Sequence, residues 1–139
     1  MRQMVLAFIT AVAVALGAHA ASAQEQPANP AIQSVITQQL DAFKRDDGPG
    51  AFAFASPNIQ GLFQSHQRFM AMVARGYRPL YRSAEATFLK LETVNGRLIQ
   101  KVLVRGAGGR VVVAAYDMIE IDGTWRINGC QIVENGAAA

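Results

Sequence analysis

The sequence contains few of the side chains that most often carry enzyme chemistry. Its 139 residues include one cysteine, Cys130, and two histidines, His19 and His66. A single cysteine excludes an internal disulfide, and its apolar neighbours are typical of a small buried residue rather than of a reactive thiol or an intermolecular disulfide. With so few cysteines and histidines the sequence predicts no metal site. It also predicts no cofactor, because the glycine-rich stretch 106–109 joins two strands, whereas a phosphate-binding loop opens a helix.

Charge is also scarce, because charged residues make up 17% of the sequence. The formal net charge is only +3, and so small an excess gives no indication of a nucleic-acid partner. Four arginines lie close together in the chain, at Arg68, Arg75, Arg78 and Arg82. They indicate either a solvated helical face, which we favour, or a basic patch facing an anionic ligand or a membrane surface.

Residues 1–23 predict a cleavable secretory signal peptide. Arg2 precedes an uncharged apolar run over residues 4–18, and these are the n-region and h-region of such a signal. Small residues at positions 21 and 23, followed by a polar stretch, place the cleavage between Ala23 and Gln24. The apolar run is shorter than the roughly 20 residues of a membrane-spanning helix. We therefore expect an exported, soluble protein in the periplasm or outside the cell, with no membrane anchor after cleavage.

The rest of the chain has the length of one domain. We expect a flexible polar leader over residues 24–30, a single domain over residues 31–134 and a flexible tail over residues 135–139. Apolar residues recur at three- and four-residue steps from Ile32 to Phe43, which predicts an amphipathic helix. Asn29 is its expected N-cap, with Pro30 at the first helical position.

A second clear helix is expected between Ser65, as its N-cap, and Gly76, because glycine is common where a helix ends. After Tyr81 the pattern changes to four runs rich in β-forming residues, at 84–93, 98–105, 110–121 and 124–134. The pairs Asn95-Gly96 and Asp122-Gly123 are strong hairpin signals, because both residues of such a turn adopt positive φ. The sequence therefore predicts an α+β fold with helices packed on a curved four-stranded antiparallel sheet.

This order of elements resembles the nuclear transport factor 2-like cone, also called cystatin-like. The resemblance rests on Tyr116-Asp117-Met118 and on residues 123–127 and 129–130 in the last two strands. The segments 32–39, 56–60, 69–73 and 77–80 are similar to a family of small exported bacterial proteins with a domain of unknown function. Proteins with the broader fold include isomerases, dehydratases and non-catalytic binding modules, and relatives often dimerise through the sheet. The resemblance therefore implies a fold and carries over no catalytic residue.

Asp117 is the main candidate for a catalytic residue. Alternation along residues 111–121 places its carboxylate on the same face as five apolar side chains. If that face lines the cone, burial raises the pKa of Asp117, which then serves as a general base or hydrogen-bond donor. If a bulge near Asp117 reverses the alternation, the carboxylate meets water or an arginine, and we favour this alternative. The other face is also apolar, so alternation alone does not identify the inner one.

Aromatic and apolar residues supply the other candidates. Tyr116 and Tyr81 are the candidate partners of Asp117 in an acid–base site. Trp125, Met118 and Phe69 are the candidates for ligand binding. For each of them the alternative is a core or rim residue whose polar atoms are satisfied within the fold.

Two functions of different classes follow. The first is a non-catalytic module that binds a small hydrophobic ligand or a protein partner and forms a homodimer through the sheet. The second is a small acid–base enzyme, isomerase-like or dehydratase-like, with Asp117 and a tyrosine inside the cone. We favour the first, because acid–base chemistry in a closed site normally requires more than one convergent ionisable group.

Overall fold

The computed structural model describes residues 23–133, which form five helices and one five-stranded antiparallel sheet. The predicted signal peptide as far as Ser22, and the predicted tail over residues 135–139, lie outside the described residues. The helices are Pro30–Lys44 (α1), Gly48–Ala53 (α2), Pro57–Phe63 (α3), His66–Gly76 (α4) and Arg78–Tyr81 (α5). The strands are Gln24–Gln26 (β1), Ser83–Val94 (β2), Arg97–Gly106 (β3), Val111–Ile121 (β4) and Thr124–Val133 (β5).

Side-chain caps fix where the helices begin. Asn29 accepts hydrogen bonds from the amides of residues 31 and 32 at 3.0 and 3.3 Å, as predicted for the start of α1. Ser65 caps α4 in the same way, with 3.2 Å from its Oγ to the amide of residue 68. Asp47 and Ser56 cap the short helices α2 and α3, each of which has a proline in its first turn. The two predicted long helices are confirmed, whereas α2, α3 and α5 are too short to show helical periodicity in the sequence.

The strands follow one another in a meander, in the order β1-β2-β3-β4-β5. Asn95 and Gly96 have φ of 50° and 75°, and Asp122 and Gly123 have 50° and 77°, which are the left-handed angles of tight hairpin turns. Both predicted hairpins are therefore confirmed, together with the α+β class.

The prediction of four strands missed β1. Residues 24–26, expected in a flexible leader, pair antiparallel with residues 91–93 of β2. The Gln26 side chain also donates a hydrogen bond to Thr93 Oγ1 at 3.2 Å. A strand of three polar residues at a sheet edge has neither the alternation nor the apolar content that identifies a strand in a sequence.

The two faces of the sheet differ in what covers them. On β4, the residues Val112, Ala114, Tyr116 and Met118 are buried. They belong to one core cluster with Ile32, Ile36, Leu40 and Phe43 of α1. This helix-covered side is called the inner face below, and the opposite side the outer face.

Two irregularities shape the inner face. In β2 the register shifts between Phe88 and Leu91, and Gln100 of β3 donates to the carbonyls of Leu89 and Lys90 at 3.1 and 3.4 Å. In β5 the register shifts at Asn128, since Met118 pairs with Ile127 and Asp117 with Gly129. Such bulges bend a strand and increase its twist.

Candidate functional site

A cavity of about 420 Å³ lies between the helices and the inner face of β4 and β5. This volume is within the range of small-molecule sites, which is about 300–1,000 Å³. Among the residues that line it are Phe43 of α1, Leu62 of α3, Met72 of α4, and Tyr116 and Cys130 of the sheet. No charged side chain of the described residues lines the cavity.

Phe69 forms the centre of the aromatic wall. Its ring centroid lies 6.1 Å from that of Phe43, 5.3 Å from that of Phe52 and 5.7 Å from that of Phe63. Tilted and edge-to-face contacts at these distances add to the stability gained by burying the rings. Four helices are therefore joined around one side of the cavity, and Phe69, a predicted ligand-binding residue, is part of its wall.

The polar groups of the wall are few and neutral. Tyr77 donates its hydroxyl to the carbonyl oxygen of Cys130 at 2.7 Å, and burial raises the pKa of Tyr77. Gln39, buried on α1, donates from Nε2 to the carbonyl of Ala51 at 3.2 Å. These two hydrogen bonds hold α4, α5 and β5 together on one side and α1 and α2 on the other.

Tyr116 and Cys130 face the cavity from adjacent strands. They are paired in the β4–β5 register, and Tyr116 is 1% exposed. The hydroxyl of Tyr116 is buried and has no hydrogen-bond partner among the described residues. Burial raises the pKa of Tyr116 well above its usual range and that of the Cys130 thiol to about 12. Both groups are thus neutral at physiological pH.

Asp117 lies on the outer face, away from the cavity. Its Oδ2 is 3.3 Å from Nε of Arg97, and its side chain is 16% exposed. The bulge considered in the sequence analysis lies across from it, at Asn128 of β5, so β4 itself keeps its alternation. The helices cover the face of β4 opposite to Asp117. The Asp117 carboxylate is therefore on the outer face, where it pairs with Arg97.

The remaining predicted residues are separate from one another. Tyr81 donates its hydroxyl to the carboxylate of Asp46, which also accepts from Arg82 Nη2 at 2.9 Å. The hydrogen bond from Tyr81, and then that from Arg82, lowers the pKa of Asp46. Trp125 is half-buried against the core and Met118 is buried within it, and neither lines the cavity. Of the six candidates, only Tyr116 and Phe69 meet in one pocket.

Sequence reasoning missed several residues of the cavity wall. Gln39 is a polar residue within the apolar stripe of α1. That position was the one sequence signal of a specific role, because a buried polar side chain needs a hydrogen-bond partner. The sequence analysis includes Tyr77 only within segment 77–80 of the family resemblance. It predicts a buried position for Cys130 but no cavity next to it.

The clustered arginines mostly follow the prediction of a solvated surface. Arg68 bonds to the side chain of Gln64 at 2.9 Å and Arg75 to the carbonyl of Ala71 at 3.4 Å, each within or next to α4. Arg78, Arg82 and Arg110 surround a shallow cleft of about 310 Å³ beside the loop at 106–108. Within residues 23–133 there is no group of three or more His, Cys, Asp or Glu side chains that could hold a metal ion.

The outer face carries an apolar surface that no described helix covers. Ile99, Leu103 and Val113 lie on it, and none of them belongs to the core cluster. Leu103 pairs with Val113, which in turn pairs with Val133, itself 47% exposed. Three ion pairs border these residues, namely Arg97–Asp117, Lys101–Glu92 and Arg105–Glu85. Apolar and charged side chains therefore alternate along this surface, and the charges of the three ion pairs balance.

No helix within residues 23–133 is long and apolar enough to cross a membrane. A family model described as Domain of unknown function (DUF4864) matches residues 25–139 of the chain. No curated protein and no solved structure matches the chain significantly.

Proposed function

The chain belongs to the family described as Domain of unknown function (DUF4864), and we propose that it is a non-catalytic module that binds a small apolar molecule in the helix–sheet cavity. The observation that carries this proposal is the cavity itself, which has the volume of a ligand site and a wall without charged side chains. Burial of apolar surface contributes about 25 cal/mol per Å² removed from water. A wall of this composition favours ligands that are mostly hydrocarbon.

The positions of the ionisable groups favour binding over acid–base catalysis. Asp117 is paired with Arg97 on the outer face, while Tyr116 lies on the inner face. Tyr81 is bonded to Asp46 at the surface. A general base must be within hydrogen-bond reach of its substrate, and these groups do not converge on one point.

The proposal includes a cone of the nuclear transport factor 2-like type and export from the cell. The order of helices before a meander, with bulges in β2 and β5, supports the cone. The charge and apolar pattern of residues 1–23 supports export. Cleavage after Ala23 would leave Gln24 at the start of β1, so the mature chain would keep all five strands.

The proposal also includes a homodimer formed through the outer face. Apolar side chains along β3 and β4 would be removed from water by a second copy. Because Arg97, Lys101 and Arg105 on the outer face each have an anion beside them, these charges add no net repulsion when two such faces meet. A twofold axis places the same surface on both partners.

Native mass spectrometry of the protein purified from its own periplasm tests binding and export together. We expect the mass of a chain beginning at Gln24, together with a small molecule that organic extraction removes. The extracted protein should then bind the neutral dye N-phenylnaphthylamine at one site per chain, with increased fluorescence. Absence of the protein from the periplasmic fraction would contradict export, and a chain that retains residues 1–23 would contradict cleavage after Ala23.

Two matched variants locate the dye. Met72 lines the cavity, whereas Ala71, its neighbour on α4, is exposed and lies outside it. Met72→Trp should fill the cavity and weaken dye binding at least tenfold, which corresponds to about 1.4 kcal/mol. Ala71→Trp should bind as the original protein does. Equal effects of the two variants would show that the dye does not occupy the cavity.

A further inference from the structure

The wall of the cavity restricts the charge of whatever binds there. Its lining includes no Lys, Arg, His, Asp or Glu side chain within the described residues. A ligand carboxylate or ammonium placed inside would lose its hydration without gaining a partner of opposite charge, which is strongly unfavourable. The cavity therefore selects against ligands that place an ionised group inside it.

One polar group of the wall is buried without a hydrogen-bond partner among the described residues. The hydroxyl of Tyr77 is already donated to the carbonyl of Cys130, and Nε2 of Gln39 to that of Ala51. Only Tyr116, among the described residues that line the cavity, has a buried side-chain oxygen without a hydrogen-bond partner. A buried hydroxyl in this state gains more from a new hydrogen bond than a solvated one does.

The surroundings of Tyr116 determine what kind of hydrogen bond it forms. Cys130 is directly opposite it on β5, and both groups stay protonated at physiological pH. Tyr116 thus acts as a neutral hydroxyl, which both donates and accepts one hydrogen bond. Its oxygen is buried, so a side chain of the wall must move before a ligand can reach it.

We propose that the cavity binds neutral lipophilic molecules with one alcohol or ketone oxygen, and that this oxygen forms a hydrogen bond with the Tyr116 hydroxyl. The inference rests on the proposed binding function and adds the chemical class of the ligand and the residue that anchors it. The hydrocarbon part of the ligand would lie against the rings of Phe69 and Phe43.

Four probes with the same eight-carbon chain test the ligand class on the purified protein. They are octane, octanol, octanoate and octylammonium, each measured by displacement of N-phenylnaphthylamine at neutral pH. We expect octane and octanol to bind, and both ions to bind at least tenfold more weakly than octanol. Binding of either ion as tight as that of octanol would overturn the neutral class.

The variant Tyr116→Phe tests the anchor. It should weaken octanol binding about fivefold, as expected for the loss of one hydrogen bond, and leave octane binding within about twofold. Because the hydroxyl has no partner among residues 23–133, the variant should unfold at the same temperature or a higher one. Tyr81→Phe removes a hydroxyl outside the cavity and should leave the affinity of both probes unchanged.

The outcomes separate this inference from the function on which it rests. If octane and octanol bind but Tyr116→Phe weakens both equally or neither, the anchoring role of Tyr116 is wrong while the binding function stands. If Tyr116→Phe unfolds, the hydroxyl is structural and the same conclusion holds. If neither octane nor the dye binds, the proposed function itself is wrong.

Discussion

At the scale of single residues, the position of Cys130 in the cavity wall lowers the reactivity expected of its thiol. Cys130 lines the cavity, and the residue as a whole is partly exposed. Burial nevertheless raises its pKa to about 12, from a usual value near 9.0. Because the thiolate is the nucleophile, access alone does not make this cysteine reactive.

Alkylation with iodoacetamide measures this effect. At pH 8 the folded protein should react on the order of 1,000-fold more slowly than the same chain in urea, because a pKa near 12 instead of 9.0 lowers the ionised fraction of the thiol by about that factor. The raised pKa also means that the folded state holds this proton more tightly than the unfolded state. Its contribution to stability is therefore complete below pH 9 and is lost as the pH rises towards 12. Equal rates in the folded and unfolded chains would contradict the burial of the thiol.

Asp117 shows why residue patterns on β4 could not identify the site. Both faces of residues 111–121 are apolar, because one face contacts the helices and the other forms the uncovered surface. Period-two alternation identifies two faces but not which of them is covered. The bulge at Asn128 is on the partner strand β5, so the sequence of β4 does not indicate it.

At the scale of elements, the helices and hairpins with strong local sequence signals were predicted correctly. The helix α1 has a cap, a proline at its first position and an apolar stripe of four turns, and all of them specify the same structure. The hairpins at 95–96 and 122–123 were equally well specified. The cavity depends instead on how α1, α3 and α4 pack against β5, and no local pattern encodes that packing.

Helix α3 is the least buried cover of the cavity. None of its residues is buried, and Leu62 is 71% exposed although it lines the cavity. The helix is held at its start by Ser56, whose hydroxyl donates to Asn128 Oδ1 at 2.7 Å. Gln60 adds hydrogen bonds of 3.1 Å to the carbonyls of residues 52 and 55. These polar contacts, together with the partly buried side chains of Ile59 and Phe63, keep α3 over the cavity.

Hydrogen exchange should therefore distinguish α3 from α1. Segments with few buried contacts open locally at low cost in free energy, so the amides of residues 60–63 should exchange much faster than those of residues 36–43. Saturation with octanol should slow exchange in α3 and leave the loop at 106–109 unaffected. Protection of α3 equal to that of α1, with no response to ligand, would contradict its role as the least stable cover of the cavity.

At the scale of the whole molecule, the uncovered outer face is the feature that one copy of the chain does not explain. The sheet has two apolar faces, and the helices of residues 23–133 cover only the inner one. Exposed apolar patches of this kind usually mark interaction sites. The charges around the patch form pairs within one chain, so a partner of strong opposite charge is not favoured, and a second copy is.

Sedimentation analysis of two variants tests this dimer. Leu103 is at the middle of the outer face and outside the core, so Leu103→Lys should leave the fold intact. In a twofold dimer it would bring two buried ammonium groups to one interface, and such unpaired charges cost several kcal/mol. The original protein should therefore sediment as a dimer and Leu103→Lys as a monomer with an unchanged circular dichroism spectrum.

Ala71→Lys, which adds the same charge on exposed α4, should remain dimeric. If the original protein is monomeric at its highest soluble concentration, the outer face does not bind a second copy.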